Sequence, residues 1–519
     1  MDPVINMIFR AVAGRLKEVN DKVNNISDRV ISDLACRIFF DGLLHPVPSS
    51  TVLKYIIGKS LTEVDNAIEA YWINTTLKQN PTFYFAPVEQ TTLFPAEAVL
   101  AIGKNAEGAH LLWTNPQWKG RNQILMGFEN AGVKRDSDEK DCLYLALRAE
   151  TTEVKAPNIF IESGGELRDL IRWSRWRFVE KGGALGAARV PGNNYIERLA
   201  KKRAHHEITL WGYGYFPYEH KEEYDELFFD LMPGETGPPP AELRKTLKGQ
   251  KEDLWSATEP LYWIQIEFDR HIPTNVMKSF EFAATNCVVA INSHFQKQSF
   301  YYHGPGSMAI ELQMPARNLY DIVSLDDNHG RVYQNIYAAQ KAGDNDCRYV
   351  PRIEGDTLKL IVSPPKRGPM PDRFAVSYRI SSGEAANGIS PGLINSLYNP
   401  FPGIESVLNL TDSKGGVDAR SFDEMVATFP QVLRSRNRAI VVSDYQALAL
   451  AFDSRIKTAI ARRGSAVRNG LLARSVEVGV NLGNFRFSIE EEARLFAARL
   501  ERYLEIRSPI GTVVVVRII

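Results

Sequence analysis

The stretch from Phe280 to Phe295, FEFAATNCVVAINSHF, is the feature that most constrains how this chain can fold. Its apolar run, residues 288–291, is β-branched and uncharged, and an asparagine closes it at each end, Asn286 and Asn292. Such a run predicts a short strand buried on both faces, with the asparagines satisfying backbone groups where the strand begins and ends. Since no His, Asp or Glu lies at ligand spacing from Cys287, we expect this cysteine to be a small buried apolar side chain.

Composition places the chain among globular proteins and disfavours several classes of partner. Its 519 residues are 44% hydrophobic and 24% charged, which suits two to four domains. The 62 basic residues balance 62 acidic ones, so nucleic acid is not expected as a main partner, because phosphate binding needs a concentrated basic face. No apolar stretch approaches the roughly 18 residues of a membrane span, and no signal-peptide layout is seen, so a cytoplasmic protein without membrane insertion is expected.

The four cysteines are Cys36, Cys142, Cys287 and Cys347. They lie far apart and form no C-x-x-C pair. This spacing predicts reduced structural thiols instead of a zinc site or a disulfide framework.

The N-terminal segment, Val4 to Phe40, has apolar residues at helical spacing with charged residues between them. It predicts a long amphipathic helix. Such an arm either folds back on its own domain or packs on another chain, and the sequence leaves both outcomes open. The candidate subunit contacts are Ile8, Val12, Leu16, Val19, Val23 and Ile26.

The middle of the chain carries the sequence pattern of β-strands. Aromatic and β-branched runs predict antiparallel sheets, with two antiparallel strands within 80–102 and a sandwich in the central body. Residues 182–260 are rich in Gly and Pro, which predicts an insertion or a loosely packed subdomain. Its aromatic patch, Trp211 to Tyr218, fits either the filling of a small β core or a sugar- or peptide-binding surface.

The C-terminal fifth changes to a mixed pattern. A Gly415-Gly416-Val417-Asp418 turn is followed by Ser443-Asp444-Tyr445, which predicts the cap of a helix over 446–452. The final unit reads as strand, helix, strand over 476–487, 489–503 and 511–519. Because the last strand is strongly β-branched and apolar, an exposed edge would invite aggregation, and we expect this edge to be paired.

No motif demands catalysis. The cluster His205-His206-Glu207 lacks the further ligands of a metal site. Asp326 and Asp327 are expected to be solvated loop carboxylates, although a glycosidase pair need not be close in sequence. We therefore predict no enzyme, no catalytic residue, no cofactor and no metal.

Several segments together resemble the TssF family, the wedge subunits of the type VI secretion baseplate. The order Asn286-Cys287-x-x-x-x-Asn292 followed by an aromatic is similar to the family's Asn-Cys-x-Pro-x-x-Asn-Leu-Phe, with departures at Val289, Ser293 and His294. A helical arm leading into Pro46-Val47-Pro48-Ser49 and then a strand matches the start of such chains. The succession from the G-G-x-D turn to S-D-Y resembles a motif shared with contractile phage baseplate wedge proteins.

Together these patterns predict an α+β multidomain fold with an N-terminal long helix, central antiparallel β-sandwich-like domains and a C-terminal α+β domain. The predicted segments are 1–45 (helical arm), 46–181 (first β-rich domain), 182–260 (insertion or linker), 261–400 (central β domain) and 401–519 (C-terminal domain).

The resemblance also implies a structural function. The protein would be a baseplate wedge subunit, docked at the inner face of the cytoplasmic membrane, that anchors sheath assembly and transmits the firing transition. The implied partners are a TssG-like wedge partner, a second copy of the chain, a TssK-like adaptor, a TssE-like sheath initiator and a VgrG-like hub. Two alternatives stay open: a wedge protein of a contractile phage tail or extracellular injection system, and a β-sandwich carbohydrate-binding protein or enzyme.

Overall fold

The computed structural model describes residues 46–519 with gaps. The gaps are 77–79, 130–139, 157, 179, 181–185, 192–223, 225–226, 247–259, 303–305, 336–346, 355, 364–367, 420–437, 454, 469–470, 484, 486, 488–489 and 510–511. The predicted N-terminal helix, the Trp211–Tyr218 patch, the His205-His206-Glu207 cluster and Cys36 lie outside the described residues.

Strands dominate the described chain. In chain order they are β1 (Ser50–Ile57), β2 (Thr62–Val64), β3 (Ala70–Ile73), β4 (Thr82–Pro87), β5 (Thr91–Leu93), β6 (Ala96–Asn105), β7 (Gly108–Thr114), β8 (Cys142–Ala149), β9 (Glu153–Val154), β10 (Asn158–Ser163), β11 (Arg175–Phe178), β12 (Phe228–Asp230), β13 (Gly234–Glu235), β14 (Tyr262–Glu267), β15 (Phe280–Ala284), β16 (Cys287–Asn292), β17 (His294–Tyr301), β18 (Met308–Pro315), β19 (Leu319–Asp327), β20 (Gln334–Asn335), β21 (Arg348–Glu354), β22 (Thr357–Ser363), β23 (Arg373–Ile380), β24 (Ser396–Leu397), β25 (Ile404–Asn409), β26 (Thr458–Arg468), β27 (Leu471–Asn481) and β28 (Val513–Ile518).

The helices are fewer. They are α1 (Arg121–Glu129), α2 (Gly165–Trp173), α3 (Ala241–Thr246), α4 (Thr274–Met277), α5 (Val442–Phe452) and α6 (Glu490–Ile506), with short 3-10 turns at Ala316–Asn318 and Gly383–Ala386.

A six-stranded antiparallel sheet in the order β24-β3-β4-β16-β1-β25 forms the centre of the β-rich body. Its strands come from positions between Ser50 and Asn409, so three of the five predicted segments contribute to it. Every residue of β16 is buried. Val288 and Ala290 pack into the apolar core on one face, and Cys287 and Val289 into the core on the other.

A five-stranded sheet, β11-β14-β8-β6-β7, packs beside it. Leu143, Leu145 and Ile264 fill one face together with residues of α2 and of the small sheet β12-β10-β15. Tyr144 and Trp263 lie on the other face. Within 80–102 the sequence predicts two antiparallel strands, and the structure forms three, β4, β5 and β6. β4 pairs with β3 and β16, β5 with β2, and β6 with β7 and β8, so the predicted antiparallel pair does not form.

The central sandwich has a three-stranded sheet, β17-β23-β19, facing a four-stranded sheet, β18-β22-β21-β20. Ile310, Leu360 and Val376 are among the buried residues that fill the space between them. The expected central antiparallel sandwich is therefore confirmed, with one short parallel pair, β20 and β21.

The C-terminal unit is a two-layer α+β structure. β26, β27 and β28 form a sheet in which β28 runs parallel to β27, with Val476 opposite Val514. α5 and α6 cover one face, where Leu448 and Leu500 are fully buried against the valines of the sheet. The predicted helix and strand-helix-strand order are confirmed, and so is the α+β class.

Candidate functional site

The stretch from β15 to β17 connects three parts of the β-rich body through polar side chains. The residues that make these connections are Glu69, Tyr84, Asn286, Asn292 and His294. We refer to these five residues as the clasp.

Asn286 joins the central sheet to the start of β6. Its backbone is left-handed, with φ of 57°, a conformation that asparagine tolerates better than most residues. Its side-chain oxygen accepts a hydrogen bond from Phe94 N at 2.9 Å, and its amide donates to Phe94 O at 2.8 Å. Its own carbonyl accepts from Tyr55 N at 3.0 Å. The asparagine that opens the strand therefore satisfies backbone groups of a neighbouring segment, as the sequence indicates.

Asn292 joins the central sheet to the sandwich. Its amide donates to Tyr84 O at 3.0 Å, while its side-chain oxygen accepts from Ser381 Oγ at 3.1 Å and Ser382 N at 2.7 Å. Ser381 directly follows β23 of the sandwich. One buried amide thus connects two sheets. Removing it would take an acceptor from Ser382 N and Ser381 Oγ and a donor from Tyr84 O, although Tyr84 O still accepts from Ser293 N and Ser381 Oγ still accepts from Gly383 N.

His294 and Glu69 complete the clasp. His294 Nδ1 lies 2.8 Å from Glu69 Oε2, and Glu69 Oε1 accepts from Phe295 N at 2.6 Å. The imidazole stacks on Tyr84 at 3.9 Å between ring centroids, and Tyr398 meets it edge-on at 5.6 Å. Burial raises the pKa of Tyr84, and the neighbouring Tyr398 and Glu69 act in the same direction. These contacts fix the angle at which β17 leaves the central sheet.

The Gly-Gly-x-Asp turn forms a second joint, between the body and the C-terminal unit. Gly415 has a φ of 80°, and a Cβ at Gly416 would lie 2.2 Å from the carbonyl oxygen of Gly383. Asp418 Oδ1 accepts from Glu384 N at 2.9 Å. On the other side, Arg499 of α6 donates to Gly415 O. Both glycines are needed for this close approach, which gives the motif a mechanical role.

The cysteines of the described chain do not form a reactive site. Cys142, Cys287 and Cys347 are buried and free. Burial raises the pKa of Cys287 to about 12 and that of Cys142 to about 11, so both thiols stay protonated near neutral pH. Cys287 is 2% exposed, which confirms that it is a small buried side chain.

The structure corrects one expectation about carboxylates. Asp327 is not a solvated loop charge, since its side chain is fully buried. Arg331 Nε donates to Asp327 Oδ2 at 2.6 Å, and Arg331 N donates to Oδ1 at 3.0 Å. Burial alone would raise the pKa of Asp327, but the hydrogen bonds from Arg331 and His329 outweigh it and lower this pKa. The tight turn after β19 is the physical reason, because it brings backbone N–H groups onto the carboxylate.

The candidate subunit contacts Ile8, Val12, Leu16, Val19, Val23 and Ile26 lie outside the described residues, so their role stays a prediction. Among the described residues, no group of three or more His, Cys, Asp and Glu side chains could hold a metal ion. Within the same ranges, no helix is long and apolar enough to span a bilayer.

Sequence reasoning identified the two asparagines but missed Glu69, Tyr84 and His294. Glu69 lies 225 residues from His294 in sequence. The available signal was weak: an acidic residue directly before a strand, and a histidine two residues after the asparagine that closes another.

Comparison with known proteins identifies solved structures that are similar to this chain. No protein-family model and no curated protein matches the sequence. A chain in a type VI secretion system TssK-TssF-TssG baseplate subcomplex is similar in structure, with a TM-score of 0.51 and 12% identity, covering 99% of this chain and 96% of that one. The baseplate complex of a type VI secretion system gives a TM-score of 0.40 at 13% identity, covering 100% and 90%. The baseplate of the anti-feeding prophage gives 0.27 at 8% identity, covering 99% and 67%.

The first of these similarities extends over nearly the whole of both chains. The expected TssF-like architecture is therefore confirmed at the level of the fold, which is that of a type VI secretion baseplate chain.

Proposed function

We propose that this chain is a structural wedge subunit of a type VI secretion or related contractile injection baseplate, and not an enzyme. The observation that carries the proposal is the similarity of fold over 99% of this chain to a chain of a TssK-TssF-TssG subcomplex. The joints between the units support it, because they are built from buried hydrogen bonds and ring stacking instead of a solvent-filled reactive cleft.

The proposed assembly follows from the sequence resemblance. Two copies of the chain hold one TssG-like partner, and a TssK-like adaptor, a TssE-like sheath initiator and a VgrG-like hub complete the cytoplasmic platform. In that setting the body must transmit force between partners without unfolding. The clasp suits this task, since polar contacts of defined geometry hold neighbouring sheets at one angle.

The predicted N-terminal helix is the proposed contact with sister subunits. Its apolar residues, including Leu16 and Val23, would each contribute about 1.5–3 kcal/mol when buried against a partner. A charge placed on this stripe would have to be desolvated on assembly, which is strongly unfavourable.

The test is co-expression with the adjacent open reading frames, followed by purification and mass measurement. The wild-type chain is expected to purify in a complex with a TssG-like partner. The Leu16→Asp/Val23→Asp variant should lose this partner while its far-UV circular dichroism stays unchanged. Lys17→Ala, at a polar position of the same predicted helix, is the matched control and should retain the partner.

Two results would contradict the proposal. If the wild-type chain purifies alone and binds none of the neighbouring products, the baseplate role fails. If the Leu16→Asp/Val23→Asp variant retains the partner at the normal ratio, the role of the helix as a subunit contact fails and the helix packs within its own chain.

A further inference from the structure

The outer edge of β28 has an unusual chemistry. β28 is the last strand of the C-terminal sheet and pairs only with β27 among the described strands. Its sequence, Val-Val-Val-Val-Arg-Ile, is β-branched throughout except for Arg517, and four consecutive valines precede that charge. An open edge of this composition is a template for pairing with another strand.

The geometry of the parallel pair defines which groups face outward. In a parallel pair, the N–H and C=O of one residue point to the same neighbour, and those of the next residue point away. Ile519 N donates to Val480 O of β27 at 2.8 Å, so the odd-numbered residues of the strand face β27. Val514, Val516 and Ile518 therefore present their backbone groups to the outer edge.

Of these three N–H groups, the two in the middle of the strand donate to side chains of α6. Val516 N donates to Glu501 Oε1 at 2.8 Å, and Val514 N donates to Glu505 Oε1 at 3.3 Å. The two glutamates lie four residues apart, on the face of α6 that runs along the strand. Their spacing along the helix, about 6 Å, matches the rise of two residues along a strand, about 6.6 Å.

The other edge of the same sheet is protected differently. β26 carries Arg462 and Arg463 in its own sequence, and the Arg462 side chain is 74% exposed. Charged side chains on an edge strand oppose pairing with a second strand. β28 has no charge between Val513 and Val516, so its protection must come from another element.

We propose that Glu501 and Glu505 form an edge seal, which keeps β28 from pairing with β28 of a second copy of this chain. The self-pairing that the seal prevents has a defined register. Two antiparallel copies centred on Val515 would place Val514 opposite Val516 of the other copy, and each such pair would exchange two backbone hydrogen bonds. Arg517 would then lie opposite Val513, so no like charges would meet across the pair.

The seal gives the two carboxylates a role that packing alone does not predict. α6 packs on the sheet through Leu500 and Leu504, which are fully buried. Glu501 and Glu505 flank this apolar contact, and their carboxylates reach the strand edge. Alanine at both positions keeps the propensity of α6 for helix, because alanine is the best helix former, and removes the two acceptors from the strand edge.

The experiment compares the purified full-length chain with three variants in a Cys36→Ser background. Glu501→Ala/Glu505→Ala is expected to self-associate, so that its mass by analytical ultracentrifugation increases with concentration relative to the parent chain. Glu501→Gln/Glu505→Gln retains a side-chain carbonyl acceptor at each position and is expected to behave as the parent does. Adding Val515→Lys to the alanine pair is expected to restore the parent's mass, because it places a charge on the edge strand.

A cysteine at position 515 tests the register. In the proposed pairing the two copies of residue 515 are directly opposite and within disulfide reach, whereas Cys142, Cys287 and Cys347 are buried. Oxidised Val515→Cys should form a cross-linked dimer about tenfold more in the alanine background than in the parent, since only there does pairing hold the thiols within about 4.4–6.8 Å between Cα atoms.

Three results would overturn the proposal. The proposal is overturned if the alanine pair keeps the parent's mass at every concentration, or if Val515→Cys cross-links equally in both backgrounds. It is also overturned if the glutamine pair associates as the alanine pair does, since repulsion between carboxylates, and not occupied donors, would then be the protection. None of these results depends on the baseplate partners.

Discussion

The central six-stranded sheet and the C-terminal unit differ in how far apart in sequence the residues of their cores lie. The sheet collects strands from Ser50 to Asn409, and its neighbours are joined to it by the clasp. The C-terminal unit builds its core, as far as the structure describes the chain, from residues between Ala439 and Val516. Long-range closure makes the first region dependent on the whole body, whereas local closure gives the second a core of its own. We therefore expect the two regions to unfold separately.

The largest effect is expected at the centre of the sheet. Phe85 is fully buried in the core beside β16. Phe85→Ala should cost about 3–5 kcal/mol of unfolding free energy, because it leaves a cavity among strands that several units share. Urea unfolding followed by tryptophan fluorescence measures this loss, and Phe401→Ala, at an exposed aromatic, is the control. A loss limited to residues 439–519 would contradict the shared role of the sheet.

A comparable core change in the C-terminal unit should act locally. Leu500 of α6 is fully buried. Leu500→Ala should cost about 2–5 kcal/mol, but only for the unit that contains it. Limited proteolysis is expected to cut within residues 439–519 while the β-rich body stays resistant. Ala498→Gln, at an exposed position of the same helix, should leave the cleavage pattern unchanged, and cleavage throughout the body would show that the two regions unfold together.

The clasp should show a smaller effect with a wider reach. Asn292→Ala removes one hydrogen bond within the central sheet and two between that sheet and the sandwich, and unpaired buried groups should cost about 1–3 kcal/mol. Hydrogen exchange should accelerate at β17 and β23 as well as at β16. Asn395→Ala, which removes an exposed amide with a local partner, should leave exchange in all three strands unchanged. Faster exchange at β16 alone would mean that Asn292 serves only its own strand.

The smallest effect is a pH dependence within the sandwich. The pKa of Asp327 is lowered in the folded chain, so its ionised form stabilises the fold at any pH above the ordinary value of 3.8. This contribution is lost as the pH falls from 3.8 through the lower folded pKa. The difference in unfolding free energy between the wild type and Asp327→Asn should therefore shrink with acidification over that window. A difference that stays constant from pH 7 to below the window would show that Asp327 acts through shape alone.

The sequence predicted the local parts of this structure well. The run 288–291 with its two asparagines became a strand buried on both faces, because β-branched apolar residues between polar ends permit few other structures. The sequence also predicted the helix over 446–452 and the strand, helix, strand order of the final unit, since each depends on neighbours in sequence.

The parts that could not be predicted depend on distant partners. No periodicity pairs Glu69 with His294, or Asn292 with Ser381, because register between remote strands is fixed only when the sheets pack. Asp327 was misjudged for a similar reason: Arg331 is close in sequence, but only the turn geometry directs its N–H groups at the carboxylate. The edge of β28 was expected to be paired. One side is paired with β27, while carboxylates from α6 accept from the N–H groups of Val514 and Val516 on the other side.

Native-state hydrogen exchange of the wild-type chain in increasing urea tests the central distinction most directly. The account predicts that amides of β1, β16 and β23 open in one cooperative step, and that amides of β27 and α6 open in a separate step. A single step shared by all of these elements would contradict it.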